Sequence, residues 1–158
     1  MEMDGKIFTS KDDGATWTYS AELREGRDRS LAPGKDGSVM ASWVSGDKSS
    51  VLFFAVSSDC GVTWETVTTG EMPLTMRDPY PVQSGSRVYV VFLGAEIPSM
   101  LDMVFKDKYE YRMYRVASKD RGKTWSAAKL LDKKPVRPAD EARWEKMYKD
   151  MKERGVEK

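Results

Sequence analysis

Histidine is absent from the 158 residues, and cysteine occurs once, at Cys60. The first absence removes Ser-His-Asp and Cys-His catalysis, HExxH zinc sites and histidine proton shuttles together. The second excludes an intramolecular disulfide framework and any CxxC motif. An excess of one charge is also missing. The 26 basic and 25 acidic residues leave a formal charge of +1, so no strong field calls for nucleic acid or an anionic membrane. No apolar run is long enough for a transmembrane helix, and no basic-then-apolar N-terminus signals export. A hydrophobic fraction of 40% with 11% aromatics does allow a core in one ordinary domain. Any chemistry must come from carboxylates, Arg, Lys, Tyr or a bound partner, and neither a metal nor a cofactor is implied.

Three octets align without gaps. Ser10, Asp12, Gly14, Thr16 and Trp17 recur as Ser57, Asp59, Gly61, Thr63 and Trp64, and again as Ser118, Asp120, Gly122, Thr124 and Trp125. Each reads S-x-D-x-G-x-T-W, a pattern whose chance of arising at a given position is about 10⁻⁷ at average residue frequencies. The tryptophans stand 47 and 61 residues apart, a blade-sized period rather than a helical-repeat one. Ser and Asp oxygens suit the amides of a tight turn, Gly permits positive φ, and Trp offers an apolar face to a neighbouring sheet. Each octet is therefore expected to be a self-bonded hairpin turn with a structural role.

The octet resembles the Asp-box, or BNR repeat, of sialidases and related β-propeller proteins. In that family the box joins the third and fourth strands of a blade, away from the active centre. The resemblance implies an all-β fold, a partial propeller of four-stranded antiparallel blades. Strand-like runs at 38–43, 51–56, 65–68, 87–93, 109–117 and 126–131 agree, with turn signals at 34–37, 46–47 and 84–86 between them. The run 87–93 is apolar on both faces, as in a strand sandwiched between blades. The expected organisation is a propeller segment over 1–132, made of a hairpin at 5–24 and blades at 27–70 and 75–131. A basic linker and a helix follow over 133–158. That inventory is about two and a half blades, whereas closed propellers have about 4–8. Either the chain is a piece of a longer protein, or copies complete each other's ring.

Residues 140–154 read as a helix with Asp140 as N-cap and Gly155 just beyond its end. Trp144, Met147, Tyr148 and Met151 form one apolar stripe. This helix is expected to cover an exposed blade face, or else to bind a partner or mediate self-association.

Sialidases hold a sugar carboxylate with three arginines from different blades, a task suited to the planar guanidinium fork. The family's first arginine lies in an Arg-x-Pro motif on an innermost strand. Arg77, Asp78 and Pro79 resemble it, with Met76 where the family has an aromatic residue. Arg29, or Arg27, is the corresponding candidate in the preceding blade. The resemblance places the general acid/base on the loop after the next strand, where Asp102 and, less well placed, Glu96 are the candidates; Pro98, Met100, Leu101 and Met103 could supply apolar walls. The family's tyrosine nucleophile, an exception among glycosidases, and its glutamate partner match no motif here. Tyr80, Tyr89, Tyr111 and Tyr114 read as strand residues. Two functional classes follow: a sialidase-like glycoside hydrolase segment, incomplete as an isolated chain, and a non-catalytic module binding glycans or proteins. The expected ligand is a glycan or sialoside, and the relatives' frequent export makes an extracellular location compatible.

Overall fold

The computed structural model describes residues 2–3, 5–23, 25–45, 51–96 and 110–136. They form three antiparallel sheets. The first contains β1 (Glu2–Met3), β2 (Lys6–Thr9) and β3 (Thr18–Glu22); the second β4 (Arg27–Pro33), β5 (Val39–Val44), β6 (Leu52–Ser57) and β7 (Glu65–Thr68); the third β8 (Leu74–Ser84), β9 (Arg87–Glu96), β10 (Arg112–Ser118) and β11 (Lys129–Leu130). In the second and third sheets, spatial order follows chain order, and each strand pairs antiparallel with the next. One 3-10 turn at Lys35–Gly37 is the sole helical element among the described residues. No helix among them is long and apolar enough to cross a membrane. The helix expected over 140–154 lies outside the described residues.

The sheets stack face to face. Side chains alternate across a strand, and β5 shows what that means for a middle sheet. Its Met40 and Val44 join Leu52, Phe54, Val88, Val90, Phe92 and Val116 in a core shared with the third sheet. Its Ala41 and Trp43 turn the other way, joining Ile7 and Leu23 of the first sheet. Trp43 is wholly buried, its ring stacked on Phe53 at 5.2 Å. The strand sandwiched on both faces is therefore β5. The expectation for 87–93 is corrected: β9 buries Val88, Val90 and Phe92 but leaves Tyr89, Val91 and Leu93 half-exposed, because no described sheet packs on its far side.

Two local features departed from expectation. A short β1 extends the first hairpin by one strand, pairing Glu2 with Ile7. The strand expected over 126–131 shrinks to Lys129–Leu130; beside the octet turn the Ala117 amide donates to the Ser126 hydroxyl rather than to a backbone carbonyl of a facing strand. β8 runs through Pro79 and Pro81. An edge strand accepts proline, which has no N–H to offer a neighbour.

Candidate functional site

The inner strands β4 and β8 lie at one edge of their sheets and pack against each other. Each carries the same irregularity. Arg27 pairs with Val44 and Ser30 with Ser42, so three steps on β4 oppose two on β5. Arg77 pairs with Leu93 and Tyr80 with Val91, again three against two. An extra residue of this kind is a β-bulge, which re-aims the side chains around it. The residue after each arginine holds left-handed backbone: Asp28 at φ +54° and Asp78 at φ +48°. Aspartate is among the few side chains that tolerate this region. Arg27 and Arg77 are thus structurally equivalent.

The two bulges meet at one carboxylate. Asp28 Oδ2 accepts the backbone N–H of Asp78 at 3.4 Å and lies 3.9 Å from Arg77 Nε and 3.5 Å from Arg27 Nη1. Arg27 also donates through Nη2 to the Met76 carbonyl at 3.5 Å. Behind the cluster the buried Ser42 hydroxyl donates to the Pro79 carbonyl at 3.0 Å, pinning the second bulge to β5. The Asp28 and Arg77 side chains are about four-fifths buried, at 19% and 18% exposure, whereas Arg27 is 37% exposed. The result is a partly dried array of guanidinium donors around one acceptor. Such an array suits polyhydroxylated or anionic ligands, because hydroxyls both donate and accept while guanidinium forks match carboxylates.

The other site candidates fall elsewhere. Arg29 turns to the opposite side of β4, its guanidinium within 3.3 Å of where a side chain at Gly5 would begin, against the first sheet. The arginine that shares a cluster with Arg77 is Arg27. Glu96 pairs with Leu74, three register steps from the Arg77–Leu93 pair, about 10 Å along the strand; it is exposed and not brought to the cluster. Asp102 lies outside the described residues. Tyr89 lies under Arg115, Tyr114 stacks on Phe92 at 6.0 Å and Tyr111 is buried. Tyr80, 48% exposed, follows the second bulge.

The octets sit at the far end of the sheets, between the second and third strands of the first and between the third and fourth strands of the others. Their bonding is the same three times. The Ser hydroxyl donates to the Asp carboxylate at 2.8, 2.7 and 2.7 Å for Ser10, Ser57 and Ser118, and accepts the Gly14, Gly61 and Gly122 amides at 2.8, 2.7 and 2.8 Å. Asp12, Asp59 and Asp120 accept both the amide and the hydroxyl of Thr16, Thr63 and Thr124. Those Thr hydroxyls, then the Thr amides and the Ser hydroxyls, pull Asp59 and Asp120 down to about 2 and lower Asp12 as well. The step into each glycine is left-handed twice over, as in Asp13–Gly14, Cys60–Gly61 and Arg121–Gly122.

Asp28 is the residue that sequence reasoning missed. A signal existed: the dipeptide Arg-Asp occurs at 27–28 and again at 77–78, with the two aspartates 50 residues apart.

A family model described as a BNR repeat-like domain matches residues 2–142. No curated protein sequence matches the chain. Among solved structures it is similar to the α-L-arabinanase of Penicillium chrysogenum complexed with arabinobiose, at TM-score 0.56 and 16% identity, over 83% of this chain and 42% of that one. It is similar to the α-L-arabinofuranosidase Arb93A of Fusarium graminearum in complex with an iminosugar inhibitor, at TM-score 0.52 and 20% identity, over 83% and 41%. It is also similar to NanB with Optactamide, at TM-score 0.55 and 16% identity, over 83% and 19%. At these identities the likeness is one of fold. The chain spans about two fifths of the length of the two fungal proteins.

Proposed function

This chain belongs to the BNR repeat-like domain family, and on that premise we propose that it is the sugar-holding part of a glycoside-hydrolase-like propeller, binding a glycan at the inner edges of β4 and β8. One observation carries the reading: two equivalent bulges bring Arg27 and Arg77 to the single carboxylate of Asp28. Two donor forks and one acceptor on adjacent inner strands meet the hydrogen-bonding needs of a sugar ring.

The Arg-x-Pro resemblance at Arg77 favours a sialoside, whose carboxylate a guanidinium would grip bidentately. In that reading Asp102 is the proton donor and Glu96 has no part. Asp28 favours a second reading. Its carboxylate already occupies the space between the arginines, so an anionic sugar must compete with it, whereas a neutral sugar shares it. Arabinobiose, the ligand bound to the Penicillium arabinanase, is the natural neutral probe.

Titrating the full chain with sialyllactose and with arabinobiose, by calorimetry or saturation-transfer NMR, tests both. Binding to one of them, abolished by Arg77→Ala, is the expected result; binding to neither overturns the proposal. A fluorogenic sialoside should be turned over negligibly by this chain, because among the described residues no tyrosine–glutamate pair of the required kind accompanies Arg77 and positioning alone supplies no nucleophile. Robust turnover lost in Arg77→Ala would show instead that the chain carries a working site.

A further inference from the structure

The interface between successive sheets is one contact made twice. The residue three before each octet serine faces the next sheet: Ile7 in β2, Phe54 in β6. The next octet is seated on it. A methyl group at Gly61 would stand 3.4 Å from Thr9 and 3.7 Å from Ile7, and Trp64 packs on the cluster that contains Ile7. Gly122 approaches Phe54 more closely still, and Trp125 meets the Phe54 ring edge-on at 5.1 Å.

The third copy of this seat is Arg115 in β10. Its neighbour Val116 is buried toward the second sheet, so alternation turns Arg115 to the far face. There its guanidinium lies 4.8 Å over the Tyr89 ring, and Nε has no hydrogen-bond partner among the described residues. Tyr80, Val82 and Met113 lie exposed on the same sheet. At the opposite end the first octet has no seat among the described residues. Among the described residues beyond its chain neighbours, the space over Gly14 meets only Trp17, and Trp17 is 46% exposed. The two ends also differ from the internal copies in complementary ways. Asp13, beside Asp12, stands where the other octets have Cys60 and Arg121, and Arg115 stands where the other seats have Ile7 and Phe54.

We propose that the first octet of one copy of this chain seats on Arg115 and Tyr89 of a second copy, repeating the internal Gly–Trp contact. The junction adds Asp12 and Asp13 facing Arg115 and a guanidinium against the Trp17 indole, interactions that favour this pairing over others. It is heterologous, octet end to seat end, and such contacts close into a ring when the rotation allows. Two copies of a three-sheet chain make six sheets, within the about four to eight blades of closed propellers. Closure covers at once the two end faces on which no described sheet packs. None of this depends on what the inner-strand cluster binds.

Sedimentation velocity on the full chain across the micromolar range reads the outcome. A dimer is expected, with Arg115→Glu and Trp17→Glu each raising its dissociation constant about tenfold or more. Both side chains are at least partly exposed, and circular dichroism checks that each variant folds. Mixing the two variants should recover dimer, because each mixed pair regains one wild-type junction; a symmetric patch-to-patch contact would gain nothing from mixing. A monomeric wild-type chain overturns the proposal, whether its own residues 97–109 or 137–158 cover the seat or Arg115 and Asp13 merely solubilise the ends. A dimer indifferent to both substitutions overturns it equally.

Discussion

Asp28 Oδ2 accepts the backbone N–H of Asp78 at 3.4 Å, and both aspartates hold left-handed backbone at the same bulge position of neighbouring inner strands. The bond ties one irregularity to the other across a sheet boundary. It also holds the carboxylate between Arg27 and Arg77, so the geometry of the candidate site depends on a backbone amide as well as on ion pairs.

Replacing Asp28 separates these contributions. Asp28→Ala removes the acceptor and leaves an alanine in left-handed backbone, and should cost about 2–4 kcal/mol. Asp28→Gly removes the acceptor without the strain and should recover about 1 kcal/mol of that loss. Chemical denaturation of the three proteins checks the order wild type, glycine, alanine. Equal loss in both variants would mean that the left-handed backbone stores no strain.

The arginines should divide by side of β4. Arg27→Ala is expected to weaken glycan binding by about tenfold, in the range of one lost charged hydrogen bond. Arg29→Ala should leave affinity unchanged, since its guanidinium lies against the first sheet near Gly5. The same calorimetric titration reads both. An affinity loss in Arg29→Ala with none in Arg27→Ala would move the site to the other face.

Acid should loosen the octets. Asp59 and Asp120 sit at about 2 in the folded chain against an ordinary 3.8, and Asp12 is lowered too. The folded state therefore binds protons less readily than the unfolded one. The stability this confers is complete above the ordinary carboxylate range and is lost as pH falls from about 4 toward 2. Thermal melts should show a steeper fall in Tm over that window for wild type than for Asp59→Ser or Asp120→Ser. Parallel curves would show that the Thr and Ser bonds do not bias protonation.

The octet glycines should not be equivalent. All three hold φ between +88° and +91°, so each alanine carries a backbone cost of about 1–2 kcal/mol. A methyl at Gly122 would also collide with the Phe54 ring, while at Gly14 the space among the described residues is open apart from Trp17. Gly122→Ala should therefore cost about 1–3 kcal/mol more than Gly14→Ala. Equal midpoints in urea would contradict the seating of the third octet on β6.

The octets were legible because their bonds are local. Ser10 reaches Asp12 and Gly14, and Asp12 reaches Thr16, so every partner lies two or four residues away. A gap-free pattern of five residue types records that whole network, and the turns followed from it without knowledge of the rest of the chain. Strand alternation likewise gave away the sheets, although not which strand would be buried on both faces. That depended on whether another sheet lay beyond β9, a question of neighbours and not of β9's own residues.

The inner-strand cluster belongs to the other category. Arg77 stood out through its proline, but its companion is Arg27 and not Arg29 because a single extra residue in β4 re-aims every side chain before it. Asp28 became the hub because two sheets pack so that residues fifty apart share one oxygen. Sequence by itself determined the turns, the repeat and the all-β class, since those arise from bonds within a few residues and from alternation along a strand. Register and sheet packing alone decided which charges meet, because a one-residue bulge or a change of neighbouring sheet costs little locally yet moves a side chain to the opposite face.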